Sequence, residues 1–188
     1  MSNPLMASLI AFLALSATLF AQAPAQNVDS RTATIAALRT LVTDQRWDEL
    51  DARIESFPPD DPLWERLPPV IYQAGIERND LPAVIATLSR IANATTSPSI
   101  RAAALLVVGR AHRREGNRAA ATQALQQARD AVPGAPLAEE AAGVIYEIEH
   151  LSPGLVAPPI TATARDGGTI SPASLRGRPV VLVFWGTT

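Results

Sequence analysis

Side chains able to make or break bonds are few in this chain. Of its 188 residues none is cysteine, and only His112 and His150 carry an imidazole. The missing thiols exclude disulfides, thiolate metal sites, cysteine nucleophiles and a lipid-bearing cysteine within these residues. Neither histidine stands in a recognisable nucleophile context, so Ser-His-Asp catalysis is unsupported, and two imidazoles are too few for a multi-histidine metal site. No glycine-rich phosphate loop is present. Accordingly no catalytic, cofactor-binding or metal-binding residue is assigned and no cofactor is expected. His112 falls on an inward-facing position of a helix, and Trp47 and Trp64 read as core anchors rather than ligand platforms.

The elements that would have to hold any site are more legible. The hydrophobic fraction, 47%, is too high for a disordered chain, and the length allows one domain or two small ones. All sixteen basic residues are arginine, yet the formal charge is only −2, which gives no electrostatic footprint for nucleic acid.

Residues 1–28 carry no charged side chain, and an apolar run extends from Leu5 to Phe20. A run this short suits the core of an export signal better than a membrane span. Ala23 and Ala25 fit an A-x-A cleavage site before Gln26, so residues 1–25 are expected to be a signal peptide and the mature chain to be periplasmic or extracellular. Met1-Ser2-Asn3-Pro4 lacks the usual basic residue, and an uncleaved membrane anchor is the alternative.

From residue 28 to 150 the apolar residues recur at helical spacing. Leu81, Val84, Ile85, Leu88 and Ile91 form one stripe, and Leu137, Ala141, Val144, Ile145 and Ile148 another. Ser97-Pro98 and Ala135-Pro136 place proline at helix starts, and Asp80 can cap the helix whose first turn holds Pro82. Pro58, Pro59, Pro62 and Pro68-Pro69 predict a break with at most one helical turn around Trp64. Turns at Gln45-Arg46-Trp47, Asn79-Asp80-Leu81 and Gly116-Asn117-Arg118 are 34 and 37 residues apart. A period near 34 predicts an array of antiparallel helix pairs. With Gly109, Gly116, Ala121, Leu125, Ala128 and Pro133 at the packing and turn positions, the third unit resembles a tetratricopeptide repeat. That resemblance implies a concave surface for a peptide or protein partner; the alternative is that the helices support a neighbouring domain.

After Leu151-Ser152-Pro153-Gly154 the texture changes. Ile160 to Ala164 alternates like a strand, Asp166-Gly167-Gly168 signals a turn, Thr169-Ile170 resumes extended structure, and Ser171 to Leu175 allows one helical turn. Val180 to Trp185 then reads as a strand buried on both faces. Such a strand needs neighbours on both edges, and the 34 residues from Leu155 to Thr188 do not provide them, so the sequence reads as cut short within a domain.

Val156-Ala157-Pro158, Ile160, Asp166-Gly167-Gly168, Leu175, Gly177-Arg178-Pro179 and Val180 to Thr187 together resemble the opening of a redoxin domain, closest to the exported thioredoxin-like proteins of the TlpA and ResA type. Arg178 stands in place of the family's Lys, Gly186 in place of Ala, and Thr188 where Trp is usual. Peroxiredoxins share the Ala-Pro and Leu-Arg-Gly features, but Phe184-Trp185-Gly186-Thr187 is more similar to the thioredoxin-like branch. The resemblance implies thiol–disulfide exchange with protein thiols and disulfides as partners, by a Cys-x-x-Cys pair that would follow Thr188. The chain is thus expected to be mainly α: a signal peptide (1–25), a tetratricopeptide-like helical domain (28–150) and the first strands of an incomplete thioredoxin-like α/β domain (155–188), inactive as it stands because the cysteine pair is absent. The alternatives are a non-enzymatic helical-repeat interaction module and a peroxiredoxin-type antioxidant fragment.

Overall fold

Proline and capping side chains decide where the helices begin. The computed structural model describes residues 23–159, 161–177, 179–181 and 183. Among them are seven α-helices: α1 (Ala23–Thr43), α2 (Trp47–Glu55), α3 (Pro68–Glu77), α4 (Leu81–Ala94), α5 (Pro98–Arg114), α6 (Arg118–Ala131) and α7 (Pro136–His150). A 3-10 turn, Pro62–Glu65, separates α2 from α3. Asp80 accepts from the Ala83 amide at 3.1 Å, Ser97 from Ile100 at 3.4 Å and Asn117 from Ala120 at 3.2 Å, each satisfying an amide that has no partner inside its own helix. Pro68, Pro98 and Pro136 open α3, α5 and α7, where a missing N–H costs nothing. The helical region begins already at Ala23 rather than at residue 28, and the apolar run Leu5 to Phe20 lies outside the described residues.

The three expected turns are built alike. Gln45, Asn79 and Gly116 all take the left-handed conformation, with φ of 57°, 53° and 80°. In each, the amide of the left-handed residue bonds the carbonyl three residues back, and the next amide bonds the carbonyl five back: Gln45 to Val42 and Arg46 to Leu41, Asn79 to Ile76 and Asp80 to Gly75, Gly116 to Arg113 and Asn117 to His112. This double bond to the last turn is a common way to end a helix, and here it folds the chain into three helical hairpins.

Packing follows the same register. The residues five and nine positions after each left-handed residue are buried: Leu50 and Ile54, Val84 and Leu88, Ala121 and Leu125. Twelve positions after, Ile91 and Ala128 are buried and Phe57 packs against the core from its edge. Two glycines permit the close approach. A Cβ at Gly109 would lie 2.5 Å from Leu125 Cγ, and one at Gly75 would collide with Val84 Cγ2. Trp64 is fully buried and its Nε1 donates to the Pro58 carbonyl at 2.9 Å. One apolar cluster runs from α1 to α5 and reaches Ala124 of α6, and a second joins α5, α6 and α7. Helix α5 serves both, with Ile100, Ala104 and Val107 in the first and Leu106 in the second.

Beyond α7, Ala162–Thr163 (β1) pairs antiparallel with Thr169–Ile170 (β2), Ala162 opposite Ile170 and Thr163 opposite Thr169. Gly167 (φ 85°) closes the turn, and Asp166 Oδ1 accepts from the Gly168 amide at 3.0 Å. A 3-10 turn, Pro172–Leu175, follows. The strand expected over Val180 to Trp185 is not formed by its described residues: Val180, Val181 and Val183 belong to no sheet and are 50%, 85% and 74% exposed. A strand exists only through its ladder partner, and β1 with β2 is the sole pairing among the described residues. Leu182, Phe184 and Trp185 lie outside them.

Candidate functional site

The two imidazoles are differently placed. His112 in the last turn of α5 is half-buried, less enclosed than an inward-facing position would make it, while its neighbour Ala111 is fully buried. His150 ends α7 exposed, its ring 4.4 Å from that of Tyr146. Of the tryptophans, Trp64 is the anchor its sequence position suggested. Trp47 is half-buried at the edge of the core, with the Arg78 guanidinium 5.6 Å from its ring centre. No group of three or more His, Cys, Asp or Glu among the described residues could hold a metal ion.

The usable surfaces lie between hairpins. Arg39, Val42, Gln73 and Glu77 line a cleft of about 520 Å³ between α1 and α3. Tyr72, Arg110, Arg113 and Arg114 line a second, of about 380 Å³, between α3 and α5. Both clefts are walled by the first helices of the hairpins. Two of the arginines are held from behind by α7: Arg110 by Glu140 at 2.6 Å and Arg113 by Glu147 at 2.5 Å. Between α2, α3 and α4 lies a smaller cleft, where Arg78 forms a two-pronged pair with Asp51 at 2.8 and 2.9 Å. The linings are of mixed polarity, and Arg110 and Arg113 are the guanidinium groups paired to carboxylates there.

A polar clasp was not visible in the sequence. Asp60, in the proline-rich loop, accepts from the Thr95 hydroxyl at 2.7 Å, the Thr96 amide at 2.7 Å and the Thr96 hydroxyl at 3.2 Å. Those bonds, the Thr95 hydroxyl foremost, hold its carboxyl below the ordinary carboxylate range. Arg101 completes the junction, bonding the carbonyls of Ala92 at 3.1 Å and Thr95 at 2.9 Å where α4 ends. The partners are about 35 residues apart, and nothing local in either segment announces the other.

The chain leaves α7 along a fixed path. Ser152 Oγ donates to the Ile148 carbonyl at 2.9 Å, and Arg118 at the start of α6 donates to the Pro153 carbonyl at 3.3 Å. None of the described helices is long and apolar enough to cross a membrane. Compared with known proteins, the chain matches no family model, no curated protein and no solved structure.

Proposed function

We propose that this chain is the N-terminal part of an exported thiol–disulfide oxidoreductase of thioredoxin-like type, with a tetratricopeptide-like helical array as its accessory region. The ordered set of residues from Val156 to Thr187 carries the reading. The tight hairpin at Asp166-Gly167, the single turn at Pro172–Leu175 and the exposed apolar Val180, Val181 and Val183 support it. In such domains the first cysteine sits at a helix N-terminus, where the dipole lowers its pKa and its thiolate attacks a substrate disulfide; the second cysteine resolves the mixed disulfide. The residues present here would be scaffold: Val180 to Trp185 as the strand that leads into that helix. Export rests on the uncharged first 28 residues and the Ala23-Pro24-Ala25 site.

The test is to read the open reading frame past codon 188 and assay its product in dithiothreitol-coupled insulin reduction. A Cys-x-x-Cys directly after Thr188 and reduction above background are expected, whereas the 188-residue chain alone gives none. A reading frame without that cysteine pair overturns the proposal. Mass spectrometry of the exported protein should find Gln26 as its first residue.

A second reading, a non-enzymatic interaction module, is favoured by the core that the helices bury for themselves and by the clefts between their first helices. It requires the chain ending at His150 to unfold cooperatively, followed by circular dichroism, and to retain a peptide or protein ligand. An unfolded product would remove it.

A further inference from the structure

Guanidinium groups gather in the cleft between α3 and α5. Arg113 and Arg114 stand three and four positions after Arg110, which sets the three side by side on one face of α5, and Tyr72 of α3 completes the lining. No carboxylate belongs to that lining. The dipole of α5 favours cations in its last turn, which accounts for Arg113 and Arg114 but not for Arg110 before it. Two of the three are braced rather than used up. Glu140 takes one N–H of Arg110 and Glu147 one N–H of Arg113, and these two arginine side chains stay 38% and 43% exposed. A guanidinium has five N–H donors, so each keeps donors for a second acceptor. Arg114 is exposed and forms no ion pair among the described residues. The three guanidiniums and their two carboxylates thus carry one positive charge in excess, in a chain whose formal net charge is −2.

We propose that this cleft binds an extended segment of another polypeptide through its Asp or Glu side chains. Arg114 is the free contact, Arg110 and Arg113 are the braced ones, and the Tyr72 hydroxyl is a further donor. Charge selects the occupant: the planar fork of a guanidinium matches a carboxylate, and a chain that is negative overall attracts an acidic partner only through a local patch. Shape selects a segment over a small anion. Four side chains from two helices do not surround a small molecule, whereas a site for one buries most of its guest. Helices α1, α3 and α5 are neighbours in that order, so a chain laid across them continues into the α1–α3 cleft. There Glu77 stands with Arg39 in the lining and disfavours a second acid, which places the acidic side chains of the segment at the α3–α5 end. The inference rests on the reading of the array as an interaction module and names the chemistry of its partner.

The probe is an octapeptide of alternating glutamate and serine, acetylated and amidated so that only side chains carry charge. It is titrated into the 188-residue chain by isothermal calorimetry. Saturable binding is expected at low ionic strength, weakening as salt is added. Arg114→Glu, which breaks no ion pair among the described residues, should weaken it at least about tenfold, and Arg114→Gln by less. Arg129→Glu on α6, outside the cleft, should change it less than about twofold. Circular dichroism checks that every variant keeps its helices. Equal weakening by Arg114→Glu and Arg129→Glu overturns the proposal. So does inorganic phosphate that displaces the peptide at equal concentration, because the cleft then holds a single small anion. A folded chain that binds no peptide also overturns it, but leaves the module reading to its own test, the cooperative unfolding of the chain ending at His150.

Discussion

The region up to His150 and the region after it solve the same problem in opposite ways. In the helices every backbone bond is satisfied within a few residues, so each hairpin needs neighbours only to bury one stripe of side chains. The residues after 155 rely on strands, whose bonds must come from another segment, and among the described residues only two pairs find one. The first region therefore encloses Trp64, Leu50 and Leu88 completely, while the second leaves Val181 and Val183 in water. Local hydrogen bonding lets each hairpin close with its own residues; a strand depends on a partner that can be far along the chain.

The contrast can be broken most forcefully at its two extremes. Trp64→Ala should cost about 4 kcal/mol, because it empties a filled core position and removes one of the two hydrogen bonds to the Pro58 carbonyl, whereas Val181→Ala should change urea stability by less than about 0.5 kcal/mol. Comparable losses from both would mean that the C-terminal segment shares the core. Next in size is Gly109→Val, whose side chain would enter the space of Leu125; a loss of about 3 kcal/mol is expected in the same denaturation series. An unchanged midpoint would show that α5 and α6 are free to separate.

A gain of stability is the third expectation. Gln45→Gly relieves a left-handed backbone that glycine adopts freely, and should raise the melting temperature by an amount equivalent to about 0.5–1 kcal/mol. A fall instead would mean that Gln45 makes a contact outweighing the backbone gain.

The smallest effect concerns pH. The folded state holds the Asp60 carboxyl below its ordinary value of 3.8, so its contribution is full above that pH and is lost as pH falls through the lower folded value. Asp60→Asn should therefore be less stable than the parent at pH 7, with the difference shrinking below about pH 4. A gap that stays constant down to pH 2 would exclude the carboxylate as the source.

Helix positions were readable because their signals are local. The stripes of α4 and α7, the cap at Asp80, the proline at position 98 and the single turn around Trp64 all lie within one or two turns of the residues they organise. The turn spacing of 34 and 37 residues anticipated the three turns, though not the left-handed backbone at Gln45 and Asn79. What escaped was mostly non-local. Gly75 meets Val84 across a hairpin whose sequence matches the repeat loosely, Arg78 reaches Asp51 in the previous hairpin, and Asp60 finds Thr95 across two helices. Val180, Val181 and Val183 stand outside any sheet for the same reason in reverse: their residue types suit a buried strand, but a strand is a property of pairs. No catalytic site was legible because the residues offer no thiol and only two imidazoles, while the inter-hairpin clefts emerge only when residues of separate helices, Arg39 with Gln73 and Tyr72 with Arg110, are brought together.

Helix α5 has a mechanical consequence. Its seventeen residues make a rod of about 26 Å that lends side chains to both apolar clusters. Two blocks joined by a loop would bend at the joint when pulled; two blocks that share a wall cannot part without tearing the wall itself. A load applied at the exit of α7 is thus passed along a continuous beam to the far hairpins, so the array moves as one lever rather than as a string of beads.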